Sequence, residues 1–214
     1  MAGPIPARHL SRSSNRRRST SEDEVIPSPL LIRAYQEGLF PMAMEGGEIG
    51  WFSPDPRGVI PLDAFHVPAR LRRLVRQGRF RIEADRAFGE VMRACATRPD
   101  EGTWISAEIA DSYAELHRLG RAHSVEAWLD DTLVGGLYGV HLGAAFFGES
   151  MFHHVTDASK IVLVALIDRL RRHEFELLDV QWLTPHLATF GAIEIPRRVY
   201  LQKLKRALAR DVAF

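Results

Sequence analysis

The chain has 214 residues, enough for one large domain or for a small domain joined to a medium one. It is 46% hydrophobic and 26% charged, which excludes a low-complexity chain, while a net charge of +1 says little about partners. A single cysteine, Cys95, excludes an internal disulfide framework. Since no apolar run is long enough to span a membrane, we expect a cytoplasmic protein.

The first 24 residues differ from the rest of the chain. They are rich in arginine and serine, hold almost no apolar side chains and end in three acidic residues. Such a composition buries too little apolar surface to fold, so residues 1–24 are predicted to be a disordered basic tail. A solvated tail is the simpler interpretation, and an arm that touches RNA without sequence preference is the alternative.

A small α+β unit is predicted next, over residues 25–64. Ser28 and Pro29 mark the start of a helix, which Gly38 ends. Short strand-like segments then alternate with proline and glycine up to residue 64. We expect residues 25–64 to form a small N-terminal domain and residues 65–214 to form a larger one.

A run of arginines opens the larger domain. Six arginines occur between residues 70 and 81 without an acid, beside an apolar stripe of Leu71, Leu74 and Val75. Solvated helix faces normally mix both signs of charge, so this run favours a phosphate-binding surface over an ordinary exposed face. The arginines assigned to that surface are Arg70, Arg72, Arg73, Arg76 and Arg79.

The second half of the chain predicts three antiparallel strands, a long helix and a further strand. The first three span residues 124–129, 132–140 and 144–152, with turn-forming residues between them. The helix begins after Asp157, its expected N-cap, and residues 175–182 form the last of these strands. This succession indicates an α+β fold.

Two of these strands carry polar side chains among apolar ones. Asp179 and Gln181 are two residues apart, so a regular strand points both to one face and points Leu178, Val180 and Trp182 to the other. They could be a catalytic acid and amide, or they could end the strand and cap the helix near residue 184.

Glu149 is the other acid in an apolar strand. The period of two places it on one face with Phe147 and Met151. It could line a site, or it could form a structural ion pair with Lys160. The residues alone therefore predict an α+β protein with an apolar cleft, two carboxylates and a basic rim.

Several other chemistries lack their motifs. The chain has no Walker A loop and no dinucleotide-binding fingerprint after a strand. The pair His153–His154 has no cysteine or acid at metal-ligand spacing, so no metal site is predicted. Ser150 lacks the second glycine of a nucleophile elbow, which makes it a poor candidate for a nucleophile.

Longer segments, taken together, resemble a known family. The match covers roughly residues 29–201, and its segments occur in order along the chain. They include GLFPM, WFSPDPRGVIPL, FHVPARLRR, GTWI, LHRLGRAHSVEAW, LVGGLYGV, FFGESMF, DASK, LLDVQW and HLATFGAIEIPR. This series is similar to the leucyl/phenylalanyl-tRNA–protein transferases. The resemblance implies a small N-terminal domain followed by a GNAT-like acyltransferase domain. It also implies transfer of leucine or phenylalanine, less often methionine, from aminoacyl-tRNA to an N-terminal Arg or Lys.

The resemblance also implies roles for individual residues. The catalytic acid and amide fall on Asp179 and Gln181, and the contacts to the terminal adenosine fall on Trp51 and Trp104. The tRNA acceptor stem falls on the arginines of residues 70–81. The residues implied for the pocket of the donor's amino-acid side chain are Leu137, Phe146, Glu149, Met151 and Leu170. Leu137 and Leu170 stand where other members carry a different large apolar residue, so the preference between Leu and Phe is left open.

The implied partners are aminoacyl-tRNA charged with Leu, Phe or Met and proteins that begin with Arg or Lys. We expect no cofactor, no metal and no membrane association, and we expect the protein to be a monomer. The alternative is a coenzyme A-dependent GNAT N-acetyltransferase, but such enzymes usually hold pyrophosphate with a glycine-rich turn at a helix N-terminus. The corresponding segment here, HHVTDASK, has no glycine. A non-catalytic RNA-binding module would keep the arginines without needing Asp179 and Gln181.

Overall fold

The structure, a computed structural model, describes residues 25–97 and 103–214. The predicted basic tail of residues 1–24 lies outside the described residues. In chain order the elements are α1 (Ser28–Gln36), β1 (Phe40–Ala43), β2 (Ile49–Phe52), β3 (Arg57–Ile60), α2 (Ala69–Gln77), β4 (Arg81–Ala84), α3 (Phe88–Ala96), α4 (Ala107–Arg118), β5 (Ala122–Leu129), β6 (Thr132–Leu142), β7 (Ala145–His153), α5 (Ala158–Arg172), β8 (Leu177–Gln181), α6 (Pro185–Ala188), β9 (Ile193–Ile195) and α7 (Arg197–Leu208).

A seven-stranded mixed sheet organises the molecule, in the order β4-β5-β6-β7-β8-β3-β9. Its strand pairs are antiparallel except for β7 and β8, which are parallel, and β1 and β2 form a separate two-stranded sheet. Apolar clusters cover both faces of the large sheet, one with side chains of α1, α3, α4 and α7 and the other with side chains of α2 and α5. The expected α+β class is confirmed, and so are the three strands predicted between residues 124 and 152.

Strand β3 lies between β8 and β9 in the large sheet, although it comes from the region that the sequence groups with the N-terminal unit. All four of its residues are buried, as expected of a strand with a neighbour on each side and apolar layers on both faces. Its pairing brings Arg57 beneath β8. The division of the chain into domains at residue 64 stays a prediction.

Strands β7 and β8 separate soon after they meet. They pair only from Ala145 opposite Leu177 to Phe147 opposite Asp179, while β7 continues to His153. Unpaired strand ends leave room for side chains between them, and a cavity lies at this opening.

A β-bulge in β7 changes which side chains share a face. The register of β6 and β7 shifts between Tyr138 and Gly139, which leaves Glu149 as the extra residue. Phe147 therefore packs in the cluster with α1 and α4, whereas Met151 packs against the cluster on the opposite face. The expectation that Phe147, Glu149 and Met151 share one face is wrong for Met151, because one extra residue reverses the alternation.

None of the helices in the described ranges has the length and apolarity that a membrane span requires.

Candidate active site

A cavity of about 430 Å³ opens where β7 and β8 separate. Its volume is within the range of small-molecule sites, and its walls are mostly apolar with a few polar groups. Strands β6, β7 and β8 supply its floor, α5 and α6 supply one wall, and β1 with Trp104 supplies another.

The cavity brings together five of the residues that the sequence assigns to the site. They come from β6, β7, β8 and the segment before α4, which are separated by up to 77 residues along the chain. They are Trp104, Leu137, Glu149, Met151 and Gln181.

Four other assigned residues lie outside the lining. Trp51 is partly buried on β2, where it packs against the apolar cluster that includes α1. Phe146 is fully buried behind the cavity, with its ring stacked on that of Phe214 at 5.3 Å. Leu170 is fully buried on α5, and Asp179 is fully buried on β8.

Sequence reasoning missed several lining residues. Leu163 and Leu166 are three positions apart on α5, so the amphipathic pattern of that helix could have indicated them. Met42 on β1 and His186 on α6 carry no signal of their own, because only the tertiary fold brings them to the cavity. No group of three or more His, Cys, Asp or Glu side chains in the described ranges is arranged to hold a metal ion.

Asp179 forms a buried ion pair with Arg57. The Arg57 Nε donates to Oδ1 at 2.9 Å and Nη2 donates to Oδ2 at 2.6 Å, a bidentate geometry, and both side chains are completely buried. The Tyr200 hydroxyl donates to Oδ2 at 2.7 Å, and the backbone N–H of Gln181 donates to Oδ1 at 2.9 Å. Each carboxylate oxygen thus accepts two hydrogen bonds, and the charge of Asp179 is fully compensated.

The Arg57 guanidinium is held as firmly as its partner. Its Nη1 donates to the carbonyl of Gly38 at 3.0 Å, and its plane lies between the rings of Phe40 and Tyr200, 4.9 and 4.5 Å from their centroids. Burial lowers the pKa of Arg57, but the nearby Asp179 carboxylate outweighs this effect and the net shift is upward. The guanidinium is therefore charged, and it forms an ion pair with the Asp179 carboxylate.

Gln181 ends β8 in a strained conformation. Its φ of +57° lies in the left-handed region, and the N–H of Trp182 donates to the carbonyl of Val180 across it at 2.6 Å. This turn moves Trp182 against Phe40 and Phe52, so the expectation that Trp182 follows the face of Val180 is wrong. The strain is retained because Asp179 accepts the Gln181 N–H.

Glu149 is the second acid of the site, partly buried at the cavity wall, and it has a different environment. Its Oε1 accepts from the Tyr35 hydroxyl at 2.7 Å and from Gln181 Nε2 at 3.3 Å, and its Oε2 accepts from the Tyr113 hydroxyl at 3.5 Å. Burial raises the pKa of Glu149 to about 8, although the hydrogen bond from Tyr35 opposes the shift. This carboxyl is protonated at neutral pH.

The arginines of the predicted phosphate-binding surface are all exposed on or just after α2. Arg70 forms an ion pair with Asp157 at 2.7 Å, whereas the other four form none with a described carboxylate. Asp157 occupies the expected N-cap position of α5 but makes no side-chain cap bond, because it binds Arg70 and Lys160 instead.

With this geometry in place, comparisons with known proteins become informative. The family model of the leucyl/phenylalanyl-tRNA protein transferase matches residues 59–205, and the model of that family's N-terminal domain matches residues 26–55. The chain belongs to this family. The two matched segments of the transferase meet at the start of β3, next to Arg57.

Two relatives named leucyl/phenylalanyl-tRNA–protein transferase are similar over nearly their whole length. The protein of Akkermansia muciniphila is 53% identical over 189 residues, which cover 87% of this chain and 97% of the relative. That of Herpetosiphon aurantiacus is 54% identical over 186 residues, which cover 86% and 96%. A solved structure of a conserved Staphylococcus epidermidis protein of unknown function aligns over 81% of this chain and 66% of its own, at 13% identity and a TM-score of 0.45.

Proposed function

We propose that this transferase moves leucine or phenylalanine, and less often methionine, from aminoacyl-tRNA to the N-terminal Arg or Lys of acceptor proteins. The product carries a new peptide bond and an N-terminal degradation signal. One observation carries the proposal at the level of chemistry: a strained, pre-positioned amide, Gln181, lies at an apolar cavity beside Glu149, a partly buried carboxyl whose pKa is raised to about 8. We further propose that the protein acts as a monomer in the cytoplasm.

The reaction needs little activation from the protein. The aminoacyl group is already an ester, so attack by a neutral α-amine forms the amide and releases the tRNA hydroxyl. The two requirements are to hold the amine close to the carbonyl and to stabilise the negative charge that develops on the carbonyl oxygen. An amide N–H held at a fixed position in an apolar cavity meets the second requirement.

Gln181 is the group best situated for this role. Its side chain lines the cavity, and its Nε2 faces Glu149, a contact of 3.3 Å that a stronger acceptor can replace. We assign it as donor to the developing oxyanion or to the incoming amine. The Asp179–Arg57 pair fixes the backbone from which it projects.

Asp179 then acts as a positioning residue. The family resemblance implies a catalytic acid at this position. Both carboxylate oxygens are already engaged by Arg57, and Asp179 is absent from the cavity lining. Proton transfer to it would require breaking a buried ion pair, which costs several kcal/mol.

The apolar walls suit the side chain of the donor amino acid. Leu137 and Met151 line the cavity from β6 and β7, opposite Leu163 and Leu166 of α5. An apolar wall separates side chains that differ by a methylene by only about 1–3 kcal/mol, which fits acceptance of Leu, Phe and Met.

The exposed arginines of α2 form the proposed site for the tRNA acceptor stem. Arg73 and Arg76 lie on the same exposed side of the helix without a described acidic partner. Reversing both charges is expected to weaken tRNA binding and to flatten its dependence on salt. Reversal of Arg118, an exposed arginine already paired with Glu115, is the matched control.

The acetyltransferase alternative fits the structure less well. Coenzyme A would need its pyrophosphate at the N-terminus of the helix after β7, which is α5. Asp157 already places a carboxylate there, and Arg70 and Lys160 are both bonded to it, so neither cation is free to bind a pyrophosphate.

A transfer assay tests the proposed function. Labelled Leu-, Phe- and Met-tRNA are incubated separately with the protein and a peptide that begins with Arg, and peptide-bound label is measured. The proposal expects transfer from all three donors without ATP or coenzyme A. Absence of transfer, together with saturable binding of coenzyme A, would favour the acetyltransferase.

A further inference from the structure

An exposed tryptophan stands at the mouth of the cavity, directly after Gln181. Trp182 lines the cavity and remains 43% exposed, which makes it one of the few large apolar side chains at the surface. It contacts the ring of Phe40 at 5.1 Å and 88°, and the ring of Phe52 at 6.5 Å and 64°. Both are edge-to-face contacts, and the exposed 43% of Trp182 leaves part of the indole surface open to a ligand.

The position of the Trp182 backbone is fixed. Its N–H is bonded across the strained Gln181 turn, and its carbonyl carbon packs so closely on Gly58 that a Cβ there would lie 2.6 Å away. A large aromatic surface held in place loses little entropy when a ligand binds.

The charges around the cavity leave an acceptor's cationic side chain without a carboxylate. Glu149 is the one acidic residue among the described lining residues, and its oxygens accept from Tyr35 and Gln181. Asp179 is compensated by Arg57 outside the lining. A cation bound here must therefore rely on something other than a free anion.

Among aromatic side chains, the face of an indole is the strongest partner for a guanidinium. This chain already uses it once: Arg86 and Arg81 lie 4.9 and 5.6 Å from the ring of Trp128 at the far edge of the sheet. No guanidinium of the described residues lies over Trp182, so the ring is available to a substrate.

We propose that the open face of Trp182 binds the cationic side chain of the acceptor's first residue, next to the reacting amine. The inference rests on the proposed function and deepens it, since it assigns a specificity-determining residue for Arg and Lys at the acceptor N-terminus. A cation on this face lies beside Gln181, which places the attached α-amine near the donor's carbonyl.

The test compares two peptides that differ only in charge. One begins with Arg and the other with citrulline, its neutral isostere, and kcat/KM for leucine transfer is measured with wild type, W182L and W182F. Wild type is expected to prefer the Arg peptide. In W182L, kcat/KM for the Arg peptide should fall by about 5- to 30-fold, while kcat/KM for the citrulline peptide should stay unchanged. W182F, which keeps an aromatic face, should retain a part of it.

Controls separate the possible outcomes. W128L removes the indole that Arg81 and Arg86 already cover and should leave the Arg-to-citrulline ratio unchanged, and thermal unfolding checks that each variant is folded. An unchanged Arg-to-citrulline ratio in W182L would overturn the inference. If that ratio is unchanged and the KM for Leu-tRNA is raised, the ring instead stacks on the donor's base, and the inference is overturned as well. If wild type transfers leucine to neither peptide, the proposed function fails and the inference with it.

Discussion

The two carboxyl groups of the site, fully buried Asp179 and partly buried Glu149, differ in what surrounds them. Asp179 has a guanidinium and a hydroxyl as partners, whereas the partners of Glu149 are two tyrosine hydroxyls and an amide. The first remains an anion, and burial raises the pKa of the second to about 8. These chemically similar side chains are both hydrogen-bonded to Gln181, yet one is anionic and the other is neutral, because only Asp179 forms an ion pair with a cation.

This difference underlies the proposed division of roles at the site. A compensated anion that is inaccessible from the cavity can hold a strained backbone but cannot exchange a proton easily. A neutral carboxyl at the cavity wall can accept and donate hydrogen bonds without attracting water or counter-ions. Gln181 joins them, since its N–H binds Asp179 and its side chain binds Glu149.

Removing the cation is expected to have the largest effect on stability. R57A leaves Asp179 buried without a counter-charge, so the free energy of unfolding in urea should fall by about 3–5 kcal/mol. The control is R33A, which breaks an exposed ion pair with Glu37 and should cost at most about 1 kcal/mol. Equal losses in the two variants would refute the buried pair.

A double variant sharpens the same point. R57M with D179L replaces both charges by apolar groups of similar volume, so most of the stability lost in R57A should return. Leucine transfer should not return, because the Gln181 N–H has lost its acceptor.

The dependence of stability on pH should distinguish Glu149. Its pKa is about 8 in the folded protein against an ordinary value of 4.5, so between these values the folded state binds the extra proton. The folded state therefore loses stability as pH rises through this window. The free energy of unfolding of wild type, relative to E149Q, should fall by a few kcal/mol from pH 5 to pH 8. A constant difference in urea unfolding would show that Glu149 is ionised throughout.

The smallest expected effects come from single hydroxyl groups. Y200F removes a hydrogen bond to a charged acceptor and should cost about 1.5–3 kcal/mol of unfolding free energy, measured at pH 7. Y35F removes the bonds of the Tyr35 hydroxyl to neutral Glu149 and to the Tyr113 hydroxyl, at about 0.5–1.5 kcal/mol each. A loss per hydrogen bond as large as that in Y200F would contradict the assigned charge states.

The sequence predicted the α+β class and the strand meander because turn residues and alternation are local signals. It also singled out Glu149 and Gln181, which meet at the cavity, since polar residues in apolar strands are visible without a structure. It could not find Arg57, which is 122 positions from Asp179 and reaches it only through the pairing of β3 with β8. The bulge at Glu149 could not be predicted either, because one extra residue in a strand does not change the composition of the segment.

The central claim is that Gln181 acts on the reacting groups while Asp179 only positions it. The most direct measurement is the single-turnover rate of leucine transfer from saturating Leu-tRNA to an Arg-initiated peptide, for wild type and Q181A. Loss of one preorganised donor predicts a rate about 100- to 1000-fold lower, with the thermal unfolding midpoint unchanged. A rate within a few-fold of wild type would contradict the account.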